Sequence, residues 1–154
     1  MSIVTFYRGD KNPPKTTQGA HLGANAIITY KGKLLLEKRS DCDQWGLVGG
    51  GVKRKESCEH AMIREIKEEL GLKVSEGQLR KLEVYGEPGR IAAYQDGSIW
   101  RMVIVMYELE LTEEPHMIIS GESKALQFFS KEELKNIQIV KTHSDIVKQW
   151  FLDI

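Results

Sequence analysis

The chain has 154 residues, which fits one domain, residues 1–154, large enough to bury a hydrophobic core. Its 22 basic and 22 acidic side chains give a formal net charge of zero. No basic field therefore favours nucleic acid or an anionic membrane as a partner. No apolar run approaches the roughly 18 residues of a membrane span. The first residues lack the apolar core of a secretory signal, and the two cysteines have no metal-ligand or disulfide spacing, so we expect a cytoplasmic protein.

The first half of the chain alternates β-rich runs with turn signals. Residues 1–19 are polar and contain Pro13-Pro14, so we predict an arm with a short strand over 3–7 and then a loop. The arm would pack either on its own domain or on a second subunit. Residues 21–30 and 33–38 predict a strand pair, and 44–48 a short strand. Trp45 in this strand is expected to seal the core beside the next helix, with the lining of a substrate site as the alternative. The glycines at 49–51 predict a turn.

The second half contains more strands and ends in a helix. Strands are predicted over 79–85, 90–94, 99–111 and 126–129, with a hairpin signal at Asp96-Gly97. Ser130 and Glu133 match a capping box that opens a helix. Residues 142–151 predict an amphipathic helix. The pattern indicates a mixed α/β domain.

An acidic helix lies at the centre of the sequence. Glu68 and Glu69 follow Glu65 by three and four residues, so the three carboxylates share an arc of roughly 100°. Like charges at this spacing destabilise a helix by roughly 0.2–0.5 kcal/mol per pair. A bound divalent cation relieves that repulsion, because hard cations take oxygen ligands. The alternative interpretation is a solvated acidic face.

The residues around this run add a second pattern. Glu56 precedes Arg64 by two helical turns, so the two can pair, and Gly71 is placed as a C-cap glycine. The sequence from Gly50 reads glycine, five residues, Glu56, seven residues, Arg64-Glu65-Ile66-x-Glu68-Glu69-x-Gly71-Leu72. This pattern resembles the Nudix box with every fixed position filled.

The resemblance implies a fold and a metal site. It implies an α/β/α sandwich with a mixed β-sheet between helices, and hydrolysis of a nucleoside diphosphate linked to another group with Mg²⁺ or Mn²⁺. The implied metal ligands are the Gly49 carbonyl, Glu65, Glu68 and Glu69. Arg64 and Glu56 are implied as a supporting pair, and Glu65 as a ligand or as the group that acts on water.

The resemblance also implies one more acid beyond the box. Glu122 follows the long predicted strand and is the candidate for a further metal ligand or general base. A loop carboxylate in water is the alternative. If Glu122 takes no part, the base comes from the box, Glu113 or Glu114.

Substrate contacts require aromatic and cationic side chains. The candidates are Arg39, Tyr85, Arg90, Trp100 and Arg101, with Tyr94 beside them, and a structural role is the alternative for each. The chain is similar to bacterial Nudix proteins near the ADP-ribose pyrophosphatases, which implies ADP-ribose or a nucleotide sugar as substrate. Sanitation of damaged nucleoside triphosphates and nucleotide sensing without hydrolysis are the alternatives. A homodimer is compatible with the family.

Overall fold

The computed structural model describes residues 3–117 and 123–153. The strands are β1 Val4–Tyr7, β2 Ala20–Tyr30, β3 Lys33–Arg39, β4 Trp45–Gly51, β5 Arg80–Tyr85, β6 Ile91–Tyr94, β7 Ile99–Leu111 and β8 Ser123–Phe129. The helices are α1 Cys58–Leu70 and α2 Lys141–Val147, which continues as a π-helical turn over Lys148–Leu152. Single 3-10 turns lie at Glu76–Gln78 and Glu133–Asn136.

The described strands form one mixed sheet. Its order is β1-β6-β7-β2-β4-β3-β8, with β5 paired to β7. Strands β2 and β7 run parallel over eleven residue pairs, and the other pairings are antiparallel. The long parallel pair places β2 in the middle of the sheet, where its side chains alternate between two covered faces.

Each face of the sheet packs on a different helix. Ala26, Ile28 and Leu35 face α1, whereas Ile27, Leu34 and Leu36 face α2 and the π-helical turn. The alternation along β2 and β3 therefore divides the core into two layers. This arrangement confirms the predicted α/β/α sandwich.

Helix α1 begins and ends at residues suited to those positions. Ser57 is the N-cap, and its hydroxyl accepts a hydrogen bond from the His60 backbone N–H at 3.1 Å. Gly71 is the C-cap in the left-handed region, with φ 66°, as its position predicted. The helix begins at Cys58, two residues after Glu56. Glu56 therefore lies before the helix, and its side chain accepts hydrogen bonds from Arg64 within the helix.

The predicted glycine turn is wrong. Gly49, Gly50 and Gly51 are the last residues of β4 and pair with Asn25, Ala24 and Gly23 of β2. Glycine permits a turn but does not require one, and here the pairing with β2 keeps the chain extended.

Three other local predictions need correction. Trp45 packs edge-on against Phe129, with ring centroids 4.8 Å apart, in the layer of α2 and not beside α1. The capping box of Ser130 and Glu133 is formed, but it opens only the 3-10 turn Glu133–Asn136. The C-terminal helix changes to π-helical turns after Val147.

The N-terminal arm packs on its own domain. Strand β1 pairs antiparallel with β6 at the edge of the sheet, and Phe6 is buried. Of the helices in residues 3–117 and 123–153, none is both long enough and apolar enough to cross a membrane.

Candidate metal and substrate site

Helix α1 holds the three predicted carboxylates at different depths. Glu69 is 2% exposed and Glu65 is 6% exposed, whereas the Glu68 side chain is 53% exposed. The arc that the three share therefore runs from the core to the surface. The predicted acid Glu122 lies outside the described residues.

Arg64 contacts three acidic side chains of this region, those of Glu56, Glu65 and Glu68. Its Nη2 donates to Glu56 Oε1 at 2.6 Å and to the Gly51 carbonyl at 3.0 Å. Its Nη1 donates to Glu65 Oε1 at 3.0 Å and lies 3.3 Å from Glu68 Oε2. The hydrogen bond from Arg64 lowers the pKa of Glu56 to about 2. The predicted pair is thus formed, and Arg64 fixes the position of Glu65 as well.

Glycine at position 50 leaves the space that Glu65 occupies. A Cβ on Gly50 would stand 2.5 Å from Glu65 Oε1, so a larger residue would displace that carboxylate. Gly49 adopts φ +146°, and a Cβ there would stand 2.1 Å from the Ala24 carbonyl oxygen. The two glycines let the end of β4 lie directly against the acidic side of α1.

Glu69 is the least compensated side chain of the site. Both of its carboxylate oxygens are buried and have no hydrogen-bond partner among the described residues. Burial, followed by the negative charges of Glu37 and Glu65, raises the pKa of Glu69 to about 11. At this pKa, Glu69 holds a proton at neutral pH unless a cation takes the place of that proton. A buried carboxylate of this kind favours a cation as its partner.

The oxygen donors fit a hard divalent cation. Within the described ranges, no three His, Cys, Asp or Glu side chains already converge as a closed metal-binding group. Mg²⁺ commonly takes one or two protein carboxylates and completes its shell with water and substrate phosphate. Glu65 and Glu69, with the unpartnered Glu69 oxygens, therefore suit a cation that is completed by a phosphorylated substrate.

A cleft of about 380 Å³ opens beside this acidic side. It is bordered by β1, β2, β3, β4, β6, β7 and the first turn of α2. Its lining includes Phe6, His21, Asn25, Glu37, Arg39, the glycines 49–51, Tyr94, Met102, Thr142 and His143. Gly50 lies between the cleft and the acidic side of α1, since it lines the cleft and is adjacent to Glu65.

Of the predicted substrate residues, Arg39 and Tyr94 line this cleft, and Trp100 lies beside it. Arg39 lines it, donates to both Asp41 oxygens at 2.8 and 2.7 Å, and lies over the Phe6 ring at 5.2 Å from the ring centroid. Trp100 lines an adjoining depression and meets the His21 ring edge-on at 6.2 Å. Tyr94 borders both cavities.

Tyr85, Arg90 and Arg101 do not line the cleft. The Tyr85 hydroxyl donates to Gln149 and accepts from Trp150 Nε1, each at 2.6 Å. The buried Arg90 guanidinium binds Glu87, Asp145 and the Thr142 carbonyl. The exposed Arg101 donates to the Gly86 carbonyl. Their predicted role as substrate contacts is untested, and the contacts they make here are structural.

Helix α2 contributes two polar residues that the sequence did not single out. His143 Nδ1 accepts a hydrogen bond from the Leu47 N–H at 3.0 Å. Burial, and then the positive charges of Arg39 and Arg90, lower the pKa of His143 to about 3. The ring is therefore neutral at neutral pH, with its hydrogen on Nε2. The adjacent Thr142 hydroxyl is buried without a hydrogen-bond partner among the described residues.

Glu37 is a third residue near the site that sequence reasoning missed. It is 6% exposed and follows Leu35 by two positions on β3, so both face α1. The signal was present in the run Leu34-Leu35-Leu36-Glu37, where a charge falls in the inward register of a buried strand. Recognising it required knowing which face of β3 meets α1.

Comparisons with known proteins agree with this geometry. A family model described as "NUDIX domain" matches residues 19–150. The chain is 31% identical over 107 residues to a CTP pyrophosphohydrolase of Escherichia coli (strain K12), covering 67% of this chain and 77% of the relative. A MutT NUDIX hydrolase structure from Burkholderia pseudomallei superposes with a TM-score of 0.65 at 27% identity, covering 86% of this chain and 97% of that one.

A more distant structure shares the fold. It is a bifunctional NMN adenylyltransferase/ADP ribose pyrophosphatase from Francisella tularensis complexed with AMP and a Mn ion. Its TM-score is 0.71 at 21% identity, with 93% of this chain covered. The present chain spans only 43% of that protein, so the match concerns one part of it.

Proposed function

The chain belongs to the Nudix hydrolase family, and we propose that it uses Mg²⁺ or Mn²⁺ to hydrolyse a phosphoanhydride bond in a nucleoside diphosphate linked to another group. The observation that carries the proposal is Glu69, whose two buried oxygens have no hydrogen-bond partner in residues 3–117 and 123–153, beside Glu65 and the glycine end of β4. Two carboxylates with unfilled acceptor positions next to a cleft suit a cation that binds phosphate.

The protein's own residues prepare the site for this chemistry. Arg64 orients Glu65 and holds Glu68 at the rim, as outer residues orient metal ligands. We assign Glu65, Glu68, Glu69 and the Gly49 carbonyl to cation binding, with Glu65 as the alternative group that acts on water, and Glu122 to cation binding or to proton removal from water. A divalent cation bound there would offset phosphate charge and make the attacking water more acidic.

The nucleotide is assigned to the cleft next to the glycines. Arg39 supplies positive charge, while Phe6 and Tyr94 supply apolar rings of the kind on which a base stacks. The neutral His143 offers a hydrogen bond for a base or ribose, and so does the Thr142 hydroxyl, which has no partner in the part of the chain that the structure describes. These groups support a nucleotide-type substrate without fixing which nucleotide.

Two substrate classes have support. ADP-ribose or a nucleotide sugar is the class implied by the family resemblance, and the Francisella tularensis neighbour is named for ADP ribose. Nucleoside triphosphates are favoured by the relative named CTP pyrophosphohydrolase, which is the more similar of the two in sequence. The classes differ in what is attached to the nucleoside diphosphate.

The test is a hydrolysis panel with product identification. The purified protein is incubated with Mg²⁺ or Mn²⁺ and with ADP-ribose, nucleotide sugars, and normal and oxidised nucleoside triphosphates. ADP-ribose yields AMP and ribose phosphate, whereas a triphosphate yields a monophosphate and pyrophosphate. Glu69→Gln is expected to abolish turnover, with Glu110→Gln on the exposed side of β7 as the matched control.

The same panel separates the enzyme from a nucleotide sensor. Turnover by the wild-type protein that disappears in Glu69→Gln supports the enzyme. A wild-type protein that binds nucleotides but turns over none of them with either metal contradicts the proposal and supports a sensor.

A further inference from the structure

The floor of the cleft is one face of two neighbouring strands. On β2 this face carries His21, Gly23 and Asn25, and on β7 it carries Met102 and Ile104. The two strands run parallel, with His21 opposite Met102 and Gly23 opposite Ile104, so alternate residues share the face. At a rise of about 3.3 Å per residue, the floor extends over roughly 13 Å from Asn25 to His21.

The Asn25 end of the floor lies beside helix α2. Asn25 Nδ2 donates to the Leu47 carbonyl at 3.1 Å, and the Leu47 N–H donates to His143 at 3.0 Å. A Cβ on Gly46 would contact both His143 and Arg39, so these two side chains lie together here. Because they are the groups assigned to the nucleoside, this end of the cleft suits the nucleoside.

Glycines form the middle of the cleft. Gly49, Gly50 and Gly51 line it from β4, and Gly23 lines it from β2. Positions without side chains let a ligand approach the backbone closely. Gly50 is also adjacent to Glu65, because a Cβ at position 50 would stand 2.5 Å from Glu65 Oε1. The middle of the cleft, next to the proposed cation site, therefore suits the pyrophosphate.

The His21 end of the floor meets the adjoining depression, which has a volume of about 330 Å³. His21 borders both cavities, and its Nε2 would stand 3.2 Å from a Cβ on Gly51. Trp100 precedes Met102 by two residues on β7, so it lies on the same face, and it meets the His21 ring edge-on. The depression thus follows the nucleoside and pyrophosphate positions in line, where the group attached to a nucleoside diphosphate would lie.

The adjoining depression suits a sugar better than a phosphate. Hydrogen bonds from the Ser98 hydroxyl at 2.6 Å and the Ser98 N–H at 2.8 Å lower the pKa of Asp96, so this carboxylate is ionised at neutral pH. Burial lowers the pKa of His21, so its ring is neutral. The described residues that line the depression are His21, Tyr94, Asp96, Ser98, Trp100 and Met102, and none of these is Lys or Arg.

This lining treats the two substrate classes differently. The terminal phosphate of a triphosphate would meet the negative charge of Asp96 without a cationic side chain from the depression to offset it. A sugar would donate hydroxyl hydrogen bonds to Asp96 and cover the ring of Trp100 with its apolar C–H groups.

We propose that the adjoining depression binds the sugar attached to a nucleoside diphosphate, and that Asp96 and Trp100 select this sugar over the terminal phosphate of a nucleoside triphosphate. This inference rests on the proposed function and chooses between its two substrate classes. The alternative is structural: Asp96 would only shape the turn before Ser98, and Trp100 would only cover β7.

The experiment compares substrates that share a nucleoside diphosphate and differ in the group attached to it. The matched pairs are ADP-ribose with ATP, UDP-glucose with UTP, and CDP-glucose with CTP, each assayed with Mg²⁺ and with Mn²⁺. The readout is the ratio of kcat/KM within a pair. Effects on folding, on the cation and on the nucleoside are common to both members of a pair and cancel in this ratio.

Two variants change the lining of the depression. Trp100→Leu removes the aromatic ring, and Asp96→Asn keeps an acceptor for the turn but removes the charge. Glu110→Gln, an exposed carboxylate at the other end of β7, is the control and should keep the wild-type ratio.

We expect the wild type to favour the sugar-linked member of at least one pair by about tenfold or more. Trp100→Leu should raise KM for that substrate about tenfold with little change in kcat, and should leave the triphosphate unchanged. Asp96→Asn should lower kcat/KM for the sugar-linked substrate and raise it for the triphosphate, so that the ratio falls about tenfold.

A wild-type protein that favours the sugar-linked member of none of the pairs overturns the inference. Folded variants that leave the ratio at its wild-type value overturn it as well, because a structural role acts on both members equally. Thermal melting reports folding, and the exposed Asp96→Asn decides alone if Trp100→Leu is not folded. In these cases hydrolysis of any member leaves the proposed function standing, whereas a wild type that hydrolyses none of them overturns both.

Discussion

Gly49 and Gly50 are adjacent in the sequence, but they serve different purposes. The backbone conformation of Gly49, and the carbonyl oxygen that a Cβ would meet, leave no room for a side chain. At Gly50 the obstacle is the end of a flexible side chain, Glu65. The first glycine is therefore required by the fold, and the second by the site.

We predict that alanine at position 49 mainly lowers stability, whereas alanine at position 50 mainly lowers activity. Gly49→Ala should lower the free energy of unfolding by more than about 2 kcal/mol, because strain and a backbone clash combine. Gly50→Ala should change it by less than about 1 kcal/mol but lower kcat/KM about 100-fold, because it displaces Glu65. Chemical denaturation and a hydrolysis assay check these values, with Gly77→Ala, where the space is open, as the control. Equal losses of stability in both variants would contradict the distinction.

His143 should make the protein sensitive to acid. Its pKa is about 3 in the folded protein and about 6.5 when unfolded, so between these values the unfolded chain holds the extra proton. Stability therefore falls as pH falls below 6.5, and the contribution of His143 at pH 5 is a loss of about 2 kcal/mol.

His143→Asn removes this titration and should flatten the pH dependence. The comparison is the free energy of unfolding at pH 5 and at pH 7 for the wild type and the variant. Other titrating groups, including Glu69 with its opposite sign, are common to both proteins and cancel in the difference. Parallel curves between pH 5 and 7 would show that His143 is not the cause.

Helix α1 is the element on which the site is built, and its ends are fixed by short-range contacts. Ser57→Ala should lower the free energy of unfolding by about 1 kcal/mol, because the first-turn N–H of His60 loses its acceptor. Ser57→Asp keeps an acceptor and should retain most of the stability. Urea denaturation of the two variants measures the difference. An equal loss of stability in both variants would mean that the acceptor at position 57 does not stabilise the helix.

Local chemistry explains why this element was predicted from the sequence. The helical period alone placed the three carboxylates on one arc, and Gly71 marked the end of the helix. The turn predicted for the glycines 49–51 was wrong, because conformational freedom does not say which conformation is used. That choice comes from pairing with β2, which is distant in the sequence.

At the scale of the whole molecule, the sequence left the cleft undetermined. Glu37, Thr142 and His143 come from β3 and α2, and they meet the glycines only when the sheet is assembled. Arg90 shows the converse case, because a basic residue beside a turn was predicted to contact substrate. In the structure it joins the chain before β6 to α2. A cation can serve either role, and only tertiary contacts distinguish them.

Arg90 therefore gives a test of how the two sides of the cleft are held together. Its guanidinium is fully buried and binds Glu87, Asp145 and the carbonyl of Thr142. Arg90→Met should lower the free energy of unfolding by about 3 kcal/mol, because Asp145 keeps only the longer 3.5 Å contact with Arg8 and the buried Thr142 carbonyl loses its donor.

Arg101→Met is the matched control, since Arg101 is exposed and contacts only one carbonyl among the described residues. It should change stability by less than about 0.5 kcal/mol. Urea denaturation measures both variants. If Arg90→Met kept wild-type stability and raised KM instead, Arg90 would be a substrate contact, as the sequence predicted. Since α2 supplies Thr142 and His143 to the cleft, loss of the Arg90 contacts should also weaken nucleotide binding, but only together with the loss of stability.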